Sequence, residues 1–142
     1  MKRILLVVIS LAVVLTVGAQ EKNEKFDAKK FRAELESFII KDACLTPKES
    51  SAFFPLYDEM NRKQRGLFDK MRRLGKLQPA SNEECRKVIM ERDKLDVELK
   101  KIQQTYHGKF LQVLSAKKVF DVLKAEDRFH RRMLRRGGHE KK

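Results

Sequence analysis

Beyond short segments such as residues 94–100, the sequence lacks sustained alternation of apolar and polar residues along the chain. A half-buried β-strand requires such alternation, so its absence argues against sheet structure and against any phosphate-binding loop that follows a strand. After residue 26 the apolar residues instead recur at intervals of three and four, which is the spacing of amphipathic helices. The pattern predicts an all-α fold of four helices.

Groups of metal-ligating or catalytic residues are also lacking. The three histidines, His107, His130 and His139, lie in different segments, and none belongs to the group of three or four ligands that zinc requires. Neither of the two cysteines has a convincing base partner for nucleophilic catalysis. The sequence therefore predicts no enzyme activity, no metal site and no cofactor.

Two short segments, residues 45–49 and 114–118, share one pattern: a leucine, then a hydroxyl residue, then a charged residue three positions after the hydroxyl. A hydroxyl side chain can cap the first turn of a helix, and an acid three residues later completes a capping box. Proline directly after the cap suits the first helical position. The residues of these two caps are Leu45, Thr46, Pro47 and Glu49 in the first, and Leu114, Ser115 and Lys118 in the second.

Four helices are predicted, capped in turn by Asp27, Thr46, Ser81 and Ser115. The second carries seven residues from Phe53 to Leu74, all apolar except Gln64, at alternating spacings of four and three, which is the seam of a packed helix pair. Residues 75–80 form a short connection, so the second and third helices are expected to be antiparallel neighbours. This predicts Phe53 beside Tyr106 and Leu67 beside Arg92. Two glycines near residue 137 are expected to end the fourth helix.

Gly66 and Gly108 interrupt the second and third helices, each at a cost of about 1 kcal/mol relative to alanine. Two interpretations stay open: close approach of the backbone of Gly108 to Ser51 and Ala52, or a bend that curves the hairpin.

The two cysteines, Cys44 and Cys85, lie at opposite ends of the predicted hairpin. Their separation is on the order of 40 Å at the helical rise, far beyond the reach of a disulfide. They are interpreted as two partly buried small hydrophobic residues, or alternatively as partners of a bridge between two antiparallel chains.

The N-terminus has the pattern of a secretory signal. Met1-Lys2-Arg3 is basic, residues 4–15 are apolar except Ser10, and small residues end at Ala19. The apolar run is shorter than the roughly 20 residues that span a bilayer. We expect residues 1–19 to be a signal peptide cleaved after Ala19, residues 20–26 a flexible leader, 27–136 one helical domain and 137–142 a disordered basic tail.

Basic residues outnumber acidic ones locally. Residues 60–76 hold seven Lys or Arg against one acid, and residues 116–142 hold ten against four. Loss of Lys2 and Arg3 with the signal would lower the net charge from +13 to +11, since residues 1–19 contain no acid. The charge indicates either a solvated face or a surface that attracts acidic partners. Export argues against nucleic acid and leaves acidic or unfolded proteins, anionic lipid and envelope polyanions.

The two capped segments resemble the twice-occurring Leu-Thr-x-x-Gln motif of the Spy/CpxP family of periplasmic stress proteins. Glu49 and Lys118 stand at the glutamine position, and Ser115 stands at the second threonine. The resemblance implies a cradle formed by an antiparallel homodimer of long, bent helical hairpins, with a basic concave face that carries apolar patches. It also implies either an ATP-independent chaperone or a regulator of an envelope-stress kinase or sigma-factor system.

We expect a periplasmic holdase that binds unfolding or acidic envelope proteins through basic and apolar side chains. The alternatives are a regulator that docks on a membrane-bound stress sensor, and a structural protein bound to polyanions. The expected client-binding residues are Arg62, Lys63, Arg65, Phe68, Arg72, Arg73, Arg128, Phe129, Arg131, Arg132, Arg135 and Arg136.

Overall fold

A computed structural model describes residues 27–139, with side chains as far as residue 137. Within that range all regular structure is helical and there is no strand, as predicted. The four helices are α1 (Ala28–Asp42), α2 (Pro47–Leu74), α3 (Asn82–Val113) and α4 (Ala116–His139). The predicted signal peptide, leader and last three residues lie outside the described residues. No described helix is both long enough and apolar enough to cross a membrane.

Each helix begins where its capping residue predicts. The Asp27 carboxylate accepts hydrogen bonds from the backbone N–H groups of Lys29 and Lys30. Thr46 with Glu49, and Ser81 with Glu84, form complete capping boxes, and the Ser115 hydroxyl accepts from the N–H of Lys118 at 3.3 Å. These bonds satisfy N–H groups that the first turn of a helix leaves without partners. The four predicted caps are confirmed.

The end of α4 differs from its prediction. The helix passes through Gly137 and ends at His139, whereas the glycines were expected to stop it. A glycine costs a helix only about 1 kcal/mol relative to alanine, and Gly137 does not adopt the left-handed conformation by which glycine usually ends a helix. Residues 137–139 are therefore helical, and the tail expected from residue 137 onward is not disordered at its start.

The helices enclose one main core at one end of α2 and α3. Phe53 on α2 packs edge-on against Phe110 on α3, with ring centroids 4.8 Å apart. Phe129 on α4 packs between Phe31 and Phe38 of α1, at 5.4 and 5.5 Å. This core collects fifteen buried residues from all four helices and the turns that join them.

A smaller core lies further along α2 and α3. Leu67 of α2 packs with Leu95 and Leu99 of α3, and Met71 and Leu74 cover the edge of this cluster. We call the part of the molecule around it the arm, comprising residues 64–74 and 82–102. Since only α2 and α3 contribute to this core, the arm presents the outer faces of both helices to solvent.

The pairing along α2 and α3 is shifted from its prediction. Phe110, four residues after Tyr106, is the ring that packs on Phe53, and Leu67 packs on Leu95 and Leu99 while Arg92 is exposed. A shift of one helical turn keeps the same faces in contact, so the periodicity of the sequence could not detect it. Gly66 and Gly108 have open space where a Cβ would stand. Of the two interpretations, the close approach at Gly108 is therefore wrong, and the bend stays a prediction.

Candidate interaction surface

The two motif segments meet in the structure. The Lys118 ammonium group donates hydrogen bonds to the carbonyl oxygens of Ala43, at 3.1 Å, and Cys44, and it lies 3.8 Å from the Glu49 carboxylate. Leu45 and Leu114, the first residues of the two segments, are both buried in the main core. The two residues at the glutamine positions therefore form an ion pair that joins the starts of α2 and α4 to the end of α1.

The environment of Glu49 favours its charged form. The backbone N–H of Thr46 donates to the carboxylate at 2.9 Å, and this bond is the main reason that the pKa of Glu49 lies below its usual value, with the nearby Lys118 charge adding to the effect. Glu49 therefore acts both in the cap of α2 and in the contact with α4.

Cys44 and Cys85 are both free thiols. Cys44 follows the end of α1 in a left-handed backbone conformation, with φ of 51°, and its side chain is exposed. The expectation that it is partly buried is wrong, because the turn buries Ala43 and Leu45 on either side and leaves Cys44 facing solvent. Cys85 is partly buried, as expected. The bridge between two chains stays a prediction.

The basic residues predicted on α2 surround an exposed aromatic ring. Phe68 retains 49% of its accessible surface, and Arg65 and Arg72 stand three residues before and four residues after it, so all three share one side of the helix. Arg62 and Arg73 are also exposed. Phe68 therefore forms an apolar patch with arginines at both ends.

Some of these cations have partners. Lys63 lies 3.6 Å from the Glu59 carboxylate and 5.3 Å from the centroid of the Tyr106 ring, over its face. Arg72 pairs with Asp69 at 3.2 Å. Lys63 is thus held against α3 and is a weaker candidate for partner binding than Arg65, for which the described residues offer no ion pair.

Five arginines of α4 form a second basic surface. They line one open groove, and their spacing of three, one, three and one residues places them on a single side of the helix. We call this surface the arginine face: Arg128, Arg131, Arg132, Arg135 and Arg136. Arg128 pairs with Asp42 of α1, and the other four form no ion pair with residues 27–137.

Phe129 does not belong to this surface, although the sequence placed it among the client-binding residues. Only 4% of its surface is accessible, because the ring fills the space between Phe31 and Phe38. The arginines on either side of Phe129 in the sequence point away from it, as helical geometry requires. The charged residues around Phe129 in the sequence led to the prediction that it lies on the surface, although it belongs to the core.

Several contacts were not anticipated. The Tyr57 hydroxyl, buried between α2 and α4, donates to Glu126 at 2.7 Å, and burial raises the pKa of Tyr57. His130 lies 3.7 Å from the same carboxylate. On α3, Ile89, Met90 and Val97 are exposed. Their helical positions lie away from the seam that pairs with α2, so their exposure could have been predicted from the sequence.

Comparison with known proteins adds no relative: no protein-family model, curated protein or solved structure matches the chain. Within residues 27–139 no three His, Cys, Asp or Glu side chains come together in an arrangement that could hold a metal ion. The arm patch around Phe68 and the arginine face are therefore the candidate functional surfaces.

Proposed function

We propose that the chain is an ATP-independent periplasmic holdase that binds unfolding or acidic envelope proteins. The observation that carries the proposal is Phe68, a large aromatic ring left half exposed on the arm and flanked by Arg65 and Arg72. Aromatic residues and arginine are enriched at protein interfaces, and an arginine can contact both the carboxylates and the aromatic rings of a partner.

In this mechanism electrostatic attraction acts first and apolar contact acts second. The cations of α2 and α4 attract acidic segments of an unfolding protein over about 10 Å, the screening length at 0.1 M salt. Apolar side chains of the client then contact Phe68 and its neighbours. A client that buries its own apolar surface loses these contacts and leaves, so no nucleotide is required.

The proposal includes the architecture expected from the family resemblance: α2 and α3 as an antiparallel hairpin, and two chains paired antiparallel into a cradle. The packing of Phe53 on Phe110 and of Leu67 on Leu95 supports the hairpin. The exposed Ile89, Met90 and Val97 of α3 support the homodimer, because a second copy would remove them from water.

Aggregation of a denatured client tests the proposal. An acidic protein is unfolded in urea and diluted into buffer without ATP, with and without the chain from Gln20 onward, at 50 mM and 500 mM salt. Light scattering should fall in proportion to the added chain, and the suppression should weaken at high salt. A basic client of similar size should be protected less.

Variants of the arm test whether Phe68 and its neighbouring arginines are responsible for suppressing aggregation. Phe68→Ser and the pair Arg65→Ser with Arg72→Ser should each reduce suppression, whereas the matched pair Lys29→Ser with Lys30→Ser, which removes two exposed cations from the start of α1, should retain it. Absence of suppression by the unmodified chain at several-fold excess would refute the holdase. It would leave the second function expected from the sequence, a regulator that docks on a membrane-bound stress sensor.

A further inference from the structure

The arginine face of α4 is a dense array of one charge. Its five guanidinium groups stand on one side of the helix between residues 128 and 136, a length of about 12 Å at the helical rise. All five side chains are exposed. Residues 128–137 contain no Asp or Glu, and Asp42, on α1, is the one carboxylate of the described residues that pairs with any of them.

The fold gives little reason for this array. Cations near the end of a helix interact favourably with its dipole, but only within the last turn, which accounts for Arg135 and Arg136 and leaves Arg128 and Arg131 unexplained. Like charges three and four residues apart destabilise a helix. The face has five such pairs at a spacing of three or four residues, and each of them includes Arg131 or Arg132. A partner of opposite charge would remove this repulsion.

The shape of the surface indicates the partner. Packing against α1 uses mainly a different side of α4, the one that carries Phe129. Arg128 pairs with Asp42 of α1, and the other four arginines of the face stay exposed. Guanidinium groups bind phosphate through two parallel N–H···O bonds, and a row of them along one side of a helix can contact several phosphates of a bilayer surface.

One apolar residue accompanies the array. Leu134 retains 77% of its accessible surface, the largest value among the exposed large hydrophobic residues. At 3.6 residues per turn it lies about 60° around the helix from Arg131, at the border of the arginine face. From there it can contact the headgroup region beside the arginines. The main apolar side of α4 remains in the protein core, so the helix would lie on the surface and would not insert.

We infer that the arginine face of α4 binds the surface of a bilayer that contains anionic phospholipids. The same arginines are among the cations proposed to attract clients, but lipid binding goes beyond the holdase activity and does not depend on it. Each cation near an anionic bilayer contributes about a fivefold gain in binding. Two arginines removed from the centre of the face should therefore weaken binding about 25-fold.

Vesicle sedimentation tests the inference. The chain from Gln20 is mixed with vesicles of phosphatidylcholine containing 30% phosphatidylglycerol, with vesicles of phosphatidylcholine alone, and with inorganic polyphosphate. Binding to the anionic vesicles should exceed binding to the neutral ones by at least tenfold at 50 mM salt and should fall at 500 mM. The pair Arg131→Ser with Arg135→Ser should lose about 25-fold, and the pair Lys29→Ser with Lys30→Ser only a few-fold.

Three results would overturn the inference: equal binding to both kinds of vesicle, equal losses for the arginine and lysine pairs, or binding to polyphosphate without binding to vesicles. Circular dichroism checks that the variants keep their helices, which is expected because all four substituted side chains are exposed. Client suppression measured without lipid should remain for the unmodified chain whether or not vesicles bind, so the two proposals can fail separately.

Discussion

Replacement of Lys118 by methionine should destabilise the fold far more than the same change at its neighbour Lys117. Lys118 donates to the carbonyl oxygens of Ala43 and Cys44 and lies beside Glu49. Methionine keeps most of the aliphatic side chain and removes the charged donor. The end of α1 would then lose the cation that satisfies its carbonyl groups, and the three helices that meet there would lose their shared contact.

The magnitude follows from the burial of the side chain. Hydrogen bonds to charged groups contribute about 1.5–3 kcal/mol each, but Lys118 retains 26% of its side-chain surface, so solvent competes for the donor. We therefore expect a loss of about 2 kcal/mol for the two bonds together. Lys117 retains 78% of its side-chain surface and pairs with Asp121 one turn away, a type of pair that contributes only about 0.3–0.5 kcal/mol.

Urea unfolding followed by circular dichroism at 222 nm measures both variants. With a slope of about 2 kcal/mol per molar urea for a domain of this size, Lys118→Met should lower the midpoint by about 1 M. Lys117→Met should lower it by about 0.2 M. If the two variants have equal midpoints and unchanged slopes, the contact between the motif segments does not stabilise the fold.

Three further predictions follow from the surroundings of individual residues. The pKa of Glu49 is lowered by the Thr46 N–H. The stabilisation from the charged Glu49 carboxylate is therefore present above its ordinary pKa near 4.5 and is lost as the pH falls through its lower folded value. The urea midpoint should fall from pH 6 to pH 3 by less in Glu49→Gln than in the unmodified chain, and an equal fall would contradict this. Tyr57→Phe leaves Glu126 without its hydroxyl donor and should cost about 1–2 kcal/mol; an unchanged melting temperature would show that water replaces the bond. Gly66→Ala and Gly108→Ala place a methyl group in open space and should each stabilise by about 0.5–1 kcal/mol, with a lower melting temperature for either as the contrary result.

The helices and their starting points could be predicted from the sequence because they depend on neighbouring residues. A hydroxyl or carboxylate side chain caps the N–H groups two or three positions ahead of it, so Asp27, Thr46, Ser81 and Ser115 act within one turn of themselves. The apolar spacing along α2 likewise fixes which side of the helix is buried. None of this requires knowledge of what packs against that side.

The candidate surfaces were only partly predictable for a related reason. The run of arginines in α4 identifies an exposed, charged helix side, and the structure places all five arginines there. Phe129 lies within the same run and is buried, because α1 covers that side of α4. Charge density along a sequence averages over the helix circumference, so it could not separate the ring from the arginines around it.

Other features depend on how whole helices are placed. The register of α2 against α3, with Phe53 on Phe110, is decided by the side chains that fill the core, since a shift of one turn preserves every apolar face. The ion pair of Glu49 and Lys118 joins residues 69 positions apart in the chain. The sequence by itself determined four capped helices and their buried sides from local chemistry. Only the tertiary structure decided which sides meet, because that choice depends on the packing of distant segments into a common core.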